Sequence, residues 1–324
     1  IIGLIVLVSL GSVTLLNSLL VGQDVQITAE ENNLSTNTRA AETVDDKLSS
    51  IRANVFQLLD LLSVVSGGRN SVLAKQAEAF FFERNTAIGF VYIISQDSLS
   101  NDVSSDQKIT NVKFFTSNEL ELSSIDNALE ANADKIARSC AGETIAANIS
   151  PFFGIPSMAL FFPYKENGYD QTCIIGFSIE TISDILGSNS INTTFVINDS
   201  DELLSHPDTD RVLAGESMGS YPLVSEMRIN NQNNEDSRQI PYKVLSEDGK
   251  SLSFFGAYEK ISLADIVVLT TVPLDTVLEA VRNTRRNNIY LTLAVFFLSV
   301  IIILVYSRLE ISKPLGRLTN AAMD

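Results

Sequence analysis

VINDSDELLSHPDTDRVLAG, residues 196–215, is where the chain starts a second time. Its opening residues close a run at 194–198 that is β-branched and aromatic and reads as a strand. Asp199-Ser200-Asp201 reads as a turn, and 203–205 as the strand that follows it. The stretch comes just after a short helical pattern that runs to Leu186 and is closed by Gly187. One mixed α/β series therefore ends before it and another begins with it. Working outward, the spacing predicts two similar units in tandem, with a boundary near 187–190.

Upstream, strand-like runs are predicted at 88–94, 112–116, 144–149, 157–164 and 173–179. A single helix is predicted at 119–139, and Glu166-Asn167-Gly168 reads as a hairpin turn. Downstream, 241–245, 251–258 and 266–273 form a predicted antiparallel meander, turned at Glu247-Asp248-Gly249. The polar stretch 229–239 (INNQNNEDSRQ) reads as a loop. Both units contain antiparallel strands, so the fold class is α+β.

Before the first unit, 23–66 reads as one long helix, stopped by Ser66-Gly67-Gly68, and 70–83 as a second. Val44, Leu48, Ile51, Val55, Leu58, Leu62 and Val65 recur at alternating steps of four and three, a heptad seam. Such a stripe can pack on its own domain or pair two chains. Leu59, Leu61 and Val64 make it wider than a two-stranded seam requires. Both uses are expected, with dimer contact toward the membrane and domain contact further up.

The outermost segments, 1–22 and 289–306, are apolar and carry no charge, and each is long enough to cross a bilayer as a helix. A cleaved signal peptide is the alternative for 1–22. Arg308, Lys313 and Arg317 beyond the second run argue for a cytoplasmic tail, whereas Arg282, Arg285 and Arg286 argue the reverse. A long translocated domain escapes that rule, so the large domain is placed outside. The chain holds 23 Lys+Arg against 39 Asp+Glu; three bases and two acids lie after Tyr306, leaving 20 against 37 between the runs. An acidic domain of this kind repels nucleic acid, which excludes a DNA or RNA role.

Enzymatic chemistry finds little to use. His206 is the only histidine, set beside Pro207 and read as structural. Cys140 and Cys173 are a disulfide or two buried thiols. With one histidine and two separated cysteines there is no metal-ligand cluster, and no cofactor is expected. There is no phosphate-binding glycine loop, and Ser105-Asp106-Gln107-Lys108 matches SxxK without its partner motifs.

Several strings together resemble a double Cache sensor domain. The 196–215 segment is similar to that family's membrane-proximal strand, Asp-rich turn and His-Pro-Asp run. FFPYKENGYDQTCIIGFSIETI (161–182) resembles the last hairpin of the distal module, and TVPLDTVLEAVRNTRRN (271–287) the final strand and exit helix. EISKPLGRLTNAAMD (310–324), with Pro314, resembles the opening of a HAMP linker. The resemblance implies two tandem PAS-like (Cache) modules on a long N-terminal helix, flanked by two transmembrane helices. It divides the chain into a membrane helix at 1–22, long helix and distal module at 23–187, and proximal module at 188–284. A second membrane helix at 285–306 and a HAMP-like linker at 307–324 follow.

It implies the sensing portion of a two-pass bacterial inner-membrane receptor, a homodimer with its sensor extracytoplasmic and a small-molecule ligand in the distal module. The rival reading is a membrane-anchored scaffold or extracellular hydrolase. Where amino-acid-binding members carry an amine-holding aspartate this chain has Ser178, and it has no tryptophan. The expected pocket is aromatic: Phe90, Tyr92, Phe114, Phe152, Met158 and Tyr164 with Ser178, and secondarily Phe153, Phe162, Arg84 and Asp170. Core packing is the competing role for each aromatic. Phe90 and Tyr92 share a strand face, as do Phe162 and Tyr164, one face taking the helix and the other the site.

Overall fold

The fold is known from a computed structural model that describes residues 2–64, 71–95, 107–166, 169–187, 191–232, 238–245 and 249–306. Two five-stranded antiparallel sheets are built one after the other. The first contains β1 (Ile88–Ser95), β2 (Gln107–Thr110), β3 (Ile145–Asn148), β4 (Ser157–Glu166) and β5 (Tyr169–Ser178), in the order β2-β1-β5-β4-β3. The second contains β6 (Thr193–Ile197), β7 (Leu203–Ser205), β8 (Gln239–Leu245), β9 (Ser251–Lys260) and β10 (Val267–Pro273), in the order β7-β6-β10-β9-β8. Counted from its own first strand, each sheet reads 2-1-5-4-3. The restart at 194–215 is thus a true repeat of topology, and the expected pair of similar units is present.

Helix α1 spans Ile2–Val64. No Pro or Gly interrupts 23–64, so the backbone ladder there has no built-in break. Its buried stripe is Ala41, Val44, Leu48, Val55, Leu58 and Leu62, with Ile51 packed beside it. These residues join one core with Leu160 and Ile175 of the first sheet and Val268 and Leu269 of the second. The domain part of the seam expectation is met: Val44, Leu48 and Val55 are at most 1% exposed inside a single chain, so at these positions the stripe packs within its own chain.

The stripe also extends further back than its apolar members suggest. Asn33 and Asn37 continue it and are fully buried. The Asn37 side-chain amide donates to Val268 O at 2.9 Å and to Thr270 Oγ1 at 3.2 Å. That of Asn33 donates to Phe255 O and Thr270 O at 3.4 and 3.3 Å. At this end α1 is held on the second sheet by directional polar contacts, which fix register more sharply than apolar ones.

The two faces of the first sheet differ. Leu160, Phe162, Cys173, Ile175 and Phe177 face the α1 core, whereas Phe90, Ile94, Ala159, Phe161 and Ile174 form a second core. Helices α3 (Val112–Ser117), α4 (Ser123–Ala131), α5 (Ala133–Cys140) and α6 (Ser150–Phe153), with Ile145 and Ala147 of β3, supply most of the rest of that second core. Cys140 belongs to it and Cys173 to the other, on opposite sides of the sheet, which is why they are two buried thiols rather than a disulfide. Burial pushes the Cys173 thiol up to about 12.

Local expectations fail where a short apolar run leaves the period ambiguous. The predicted strand 112–116 is α3: Asn111 caps it, its Oδ1 accepting from Phe114 N at 3.2 Å while its Nδ2 donates to Ile88 O at 2.9 Å. The strand is β2 instead, so Lys108 of the SxxK match is a strand residue paired with Asp126 at 2.9 Å. The predicted helix 119–139 is divided at Asn132, whose side chain donates to Ala128 O at 2.8 Å and closes α4. Three further helices complete the first unit's flank and the second unit: α7 (Glu180–Gly187), α8 (Thr209–Leu213) and α9 (Pro222–Gln232). The last takes the beginning of the predicted 229–239 loop; 233–237 lie outside the described residues. So do the Ser66-Gly67-Gly68 stop, Asn167-Gly168, Glu247-Asp248 and the HAMP-like segment 307–324.

Helix α10 (Leu274–Tyr306) follows β10 without an intervening residue. Many of its large apolar side chains are exposed, among them Leu291, Phe297, Leu298, Ile301 and Leu304. Thr292 and Ser299 return their hydroxyl protons to carbonyls one turn back, Asn288 O and Val295 O, both at 2.8 Å. Among the described residues taken alone, no helix is long and apolar enough to cross a membrane; side chains within both runs, such as that of 303, lie outside the description.

Candidate ligand-binding site

Alternation along β1 sends Phe90, Tyr92 and Ile94 to the face covered by α3 to α6. Register then selects the matching residues of the neighbours. Phe90 pairs with Gly176 and Gly176 with Ala159, so odd-numbered β4 residues and even-numbered β5 residues share that face. The face is aromatic and tightly filled. Phe90 stacks on Phe153 at 6.1 Å and 14°, Phe115 meets Phe153 at 6.0 Å, and Phe114 meets Phe115 at 5.6 Å. Two glycines make room. A Cβ on Gly176 would lie 2.0 Å from Phe90 Cε1, and one on Gly89 would lie 2.8 Å from Phe114 Cε1. Each ring therefore lies where a side chain would otherwise be.

Of the seven primary site residues, the structure brings together Phe90, Tyr92, Phe114 and Phe152 on this face. Ser178 ends β5 at its rim, its Oγ accepting from Glu180 N at 3.3 Å. Met158 and Tyr164 are not brought to it: Met158 lies in the α1 core, and Tyr164 packs against Phe56 at 6.1 Å. Of the secondary residues, Phe153 is central. Phe162 is on the α1 side, with the exposed Arg52 guanidinium 5.1 Å over its ring. Arg84 ends α2 (Val72–Arg84), away from this face, and the side chain of Asp170 lies outside the described residues. Phe90 and Phe153 are only 1% and 4% exposed and are part of the core.

Sequence reading missed the polar frame around this core. Ser139 of α5 meets Thr172 of β5 through their hydroxyls, both fully buried. On its outer side α5 reaches the second unit: Lys135 pairs with Glu202 at 3.2 Å and Arg138 with Asp199 at 3.0 Å. Asp199 and Glu143 hold the Arg138 guanidinium above its ordinary value. The Asp-rich turn is gripped from behind by Arg228 of α9, which contacts Asp201 and donates to Asp199 O at 2.9 Å. Two buried amides cross the same junction. Asn148 donates to Leu203 O at 2.9 Å and Val212 O at 2.7 Å, and Asn198 donates to Ala146 O at 2.9 Å. The one legible signal was the Asp199-Ser200-Asp201 string, read only as a turn.

In the second unit, His206 is structural, as expected. Its Nδ1 accepts from Asp208 N at 2.9 Å, and its Nε2 lies 3.1 Å from Arg211 Nη1. Burial, and secondarily Arg211, lowers its pKa and keeps the imidazole neutral near pH 7. Arg211 is itself held by both oxygens of Glu216, each at 2.6 Å.

Among solved structures, the extracellular domain of soHK1S-Z6, a candidate histidine kinase, is similar to this chain. It aligns at TM-score 0.51 and 13% identity over 80% of this chain and 98% of that one. The sensory domain of the Campylobacter jejuni chemoreceptor Tlp3 aligns at 0.47 and 13%, covering 79% and 98%. The ligand-binding domain of the Pseudomonas aeruginosa amino acid chemoreceptor PctC, in complex with GABA, aligns at 0.44 and 15%, covering 75% and 99%. Only the first is near enough in shape to bear on the fold, and at that identity it bears on nothing else. No protein-family model and no curated protein matches the sequence. The two sheets and long N-terminal helix fit tandem Cache modules.

Proposed function

We propose that the chain is the ligand-sensing and membrane-crossing part of a bacterial signalling receptor. The distal module, 23–187, takes a small molecule, and the proximal module, 188–284, passes the response to a second membrane helix. The observation that carries this reading is the duplicated 2-1-5-4-3 sheet packed along one helix. The surface of α10 supports the membrane part. Exposed apolar side chains in this number would drive association in water, whereas a bilayer covers them. The 18 uncharged residues 289–306 span about 27 Å at helical rise, close to a hydrocarbon core. The opposite run, 1–22, is assigned the same role, with 307–324 as a HAMP-like start. The receptor is a homodimer whose contact falls to the two apolar runs, since the seam of α1 is occupied.

Ligand is assigned to the face under α3 to α6, with Phe90, Tyr92, Phe114 and Phe152 as its walls and Ser178 at the rim. That environment suits a ligand with an apolar body. Helix α5 is the output element of the site. Its inner residues, Ile136 and Cys140, lie in the aromatic core, and its outer Lys135 and Arg138 hold the proximal turn. A displaced ring can shift the helix and, with it, the proximal sheet. Ligand moves this equilibrium only by binding the two states unequally.

The test is a thermal-shift panel of metabolites on the full chain in lipid nanodiscs, followed by calorimetry on each hit. Tyr92→Ala is expected to weaken binding by about tenfold or more. Tyr164→Ala, on the α1 side of the sheet, is expected to leave affinity within about threefold. Binding that withstands Tyr92→Ala and Phe152→Ala but is lost on changes around His206 would move the site to the proximal module.

A further inference from the structure

A second concave site lies at the far end of α1, where it meets α2 in a groove of about 650 Å³. Its floor is tied by Asn54 Nδ2 donating to Asn85 Oδ1 at 2.9 Å. Its apolar wall is Leu61, Leu73 and Phe80, which are 53%, 61% and 68% exposed. Large apolar residues gathered at this exposure in a concave surface are of the kind that binding grooves present. The groove's charge is as informative as its shape. Among the described residues its lining contains no Asp or Glu, although the chain has 39 acids against 23 bases. The one cation among those residues is Arg84, which ends α2 and has no ion-pair partner among the described residues. Side-chain amides of Gln57 and Gln76 also line it.

We propose that this groove binds a small amphipathic carboxylate, with its acid group on Arg84 and its body along Leu61, Leu73 and Phe80. A guanidinium without an ion-pair partner among the described residues presents a planar fork that matches a carboxylate, and a lining without acids among those residues offers it no internal competitor. The volume is within the range of small-molecule sites. The site is separate from the aromatic face under α3 to α6, so either can fail without the other.

The experiment titrates 3-phenylpropionate, and its neutral amide, into the full chain in nanodiscs, with empty nanodiscs as the partition control. Saturable binding of the acid is expected, with the amide weaker by about tenfold or more. Arg84→Gln is expected to abolish that preference, Arg84→Lys to restore part of it, and Phe80→Glu to weaken the acid strongly. Circular dichroism confirms that each variant remains folded, which these exposed positions permit. Three results would each overturn the proposal. Acid and amide could bind alike; no saturable binding could occur; or binding could be lost with Tyr92→Ala and kept with Arg84→Gln, which would place the acid on the aromatic face. A fourth is that Phe80→Glu alters the sedimentation of the ligand-free chain but not acid affinity, making the groove a contact between copies.

Discussion

The Leu48→Asp chain is expected to lose its tertiary structure. Leu48 has no exposed surface, and it is central in the stripe of α1 that packs on the sheets. The substitution removes a buried leucine and places a carboxylate where no partner is available. The loss of apolar burial and the desolvation of a charge add to more than about 5 kcal/mol, comparable to the whole stability of a domain. Near-UV circular dichroism should collapse and protease resistance should be lost at every protein concentration. An exposed neighbour on the same helix, Ser50→Asp, should be nearly silent. The concentration independence matters most. Were the stripe a dimer seam, the variant would stay folded and merely fail to associate, and burial of the stripe within one chain would be wrong.

Gly176→Ala should be the most damaging single-methyl insertion on the aromatic face. The added Cβ would come within 2.0 Å of one Phe90 ring atom and 2.4 Å of another. The ring cannot simply swing away, because Phe153 stacks on it. Overpacking in such a place costs about 3 kcal/mol, or roughly 6–12 °C in melting temperature for a domain of this size. Phe90→Leu alone should cost about 1.5 kcal/mol, yet the double change should be less harmful than Gly176→Ala alone, because the smaller side chain vacates the space. A wild-type melting temperature for Gly176→Ala would show that Phe90 does not lie over the glycine. The aromatic face would then need a different arrangement.

Sequence reading recovered the elements that depend on period and punctuation. The second strand series was legible because β-branched residues alternate around an Asp-Ser-Asp turn, and α1 was legible because its seam holds for several turns. What period cannot supply is the partner. A heptad stripe states that a face is buried but not against what, so Val44 to Val55 looked equally suited to a second chain. Face assignment failed for a related reason. Alternation correctly grouped Phe90 with Tyr92 and Phe162 with Tyr164, but whether two strands show the same face depends on register. The Phe90–Gly176–Ala159 pairing sends Phe162 and Tyr164 the other way. Helix α3 was misread because Val-Lys-Phe-Phe-Thr favours a strand locally, and the capping side chain of Asn111 overrides that preference. Helix α9 was missed although Pro222 at its first position, with Leu223, Val224 and Met227 behind it, is a helix-start signal. The polar continuation of the stripe through Asn33 and Asn37 was passed over because a search for apolar residues does not register amides.

The most direct test of sensing by one module and relay by the other is hydrogen exchange of the full chain in nanodiscs, with and without a ligand found by the panel. Ligand is expected to slow exchange in the distal layer from α3 to α6 and also in the 198–202 turn of the proximal module. In a Lys135→Ala/Arg138→Ala chain, the distal protection should remain while that of the turn is lost. Protection confined to the proximal module, or a turn that responds equally with and without those two side chains, would contradict it.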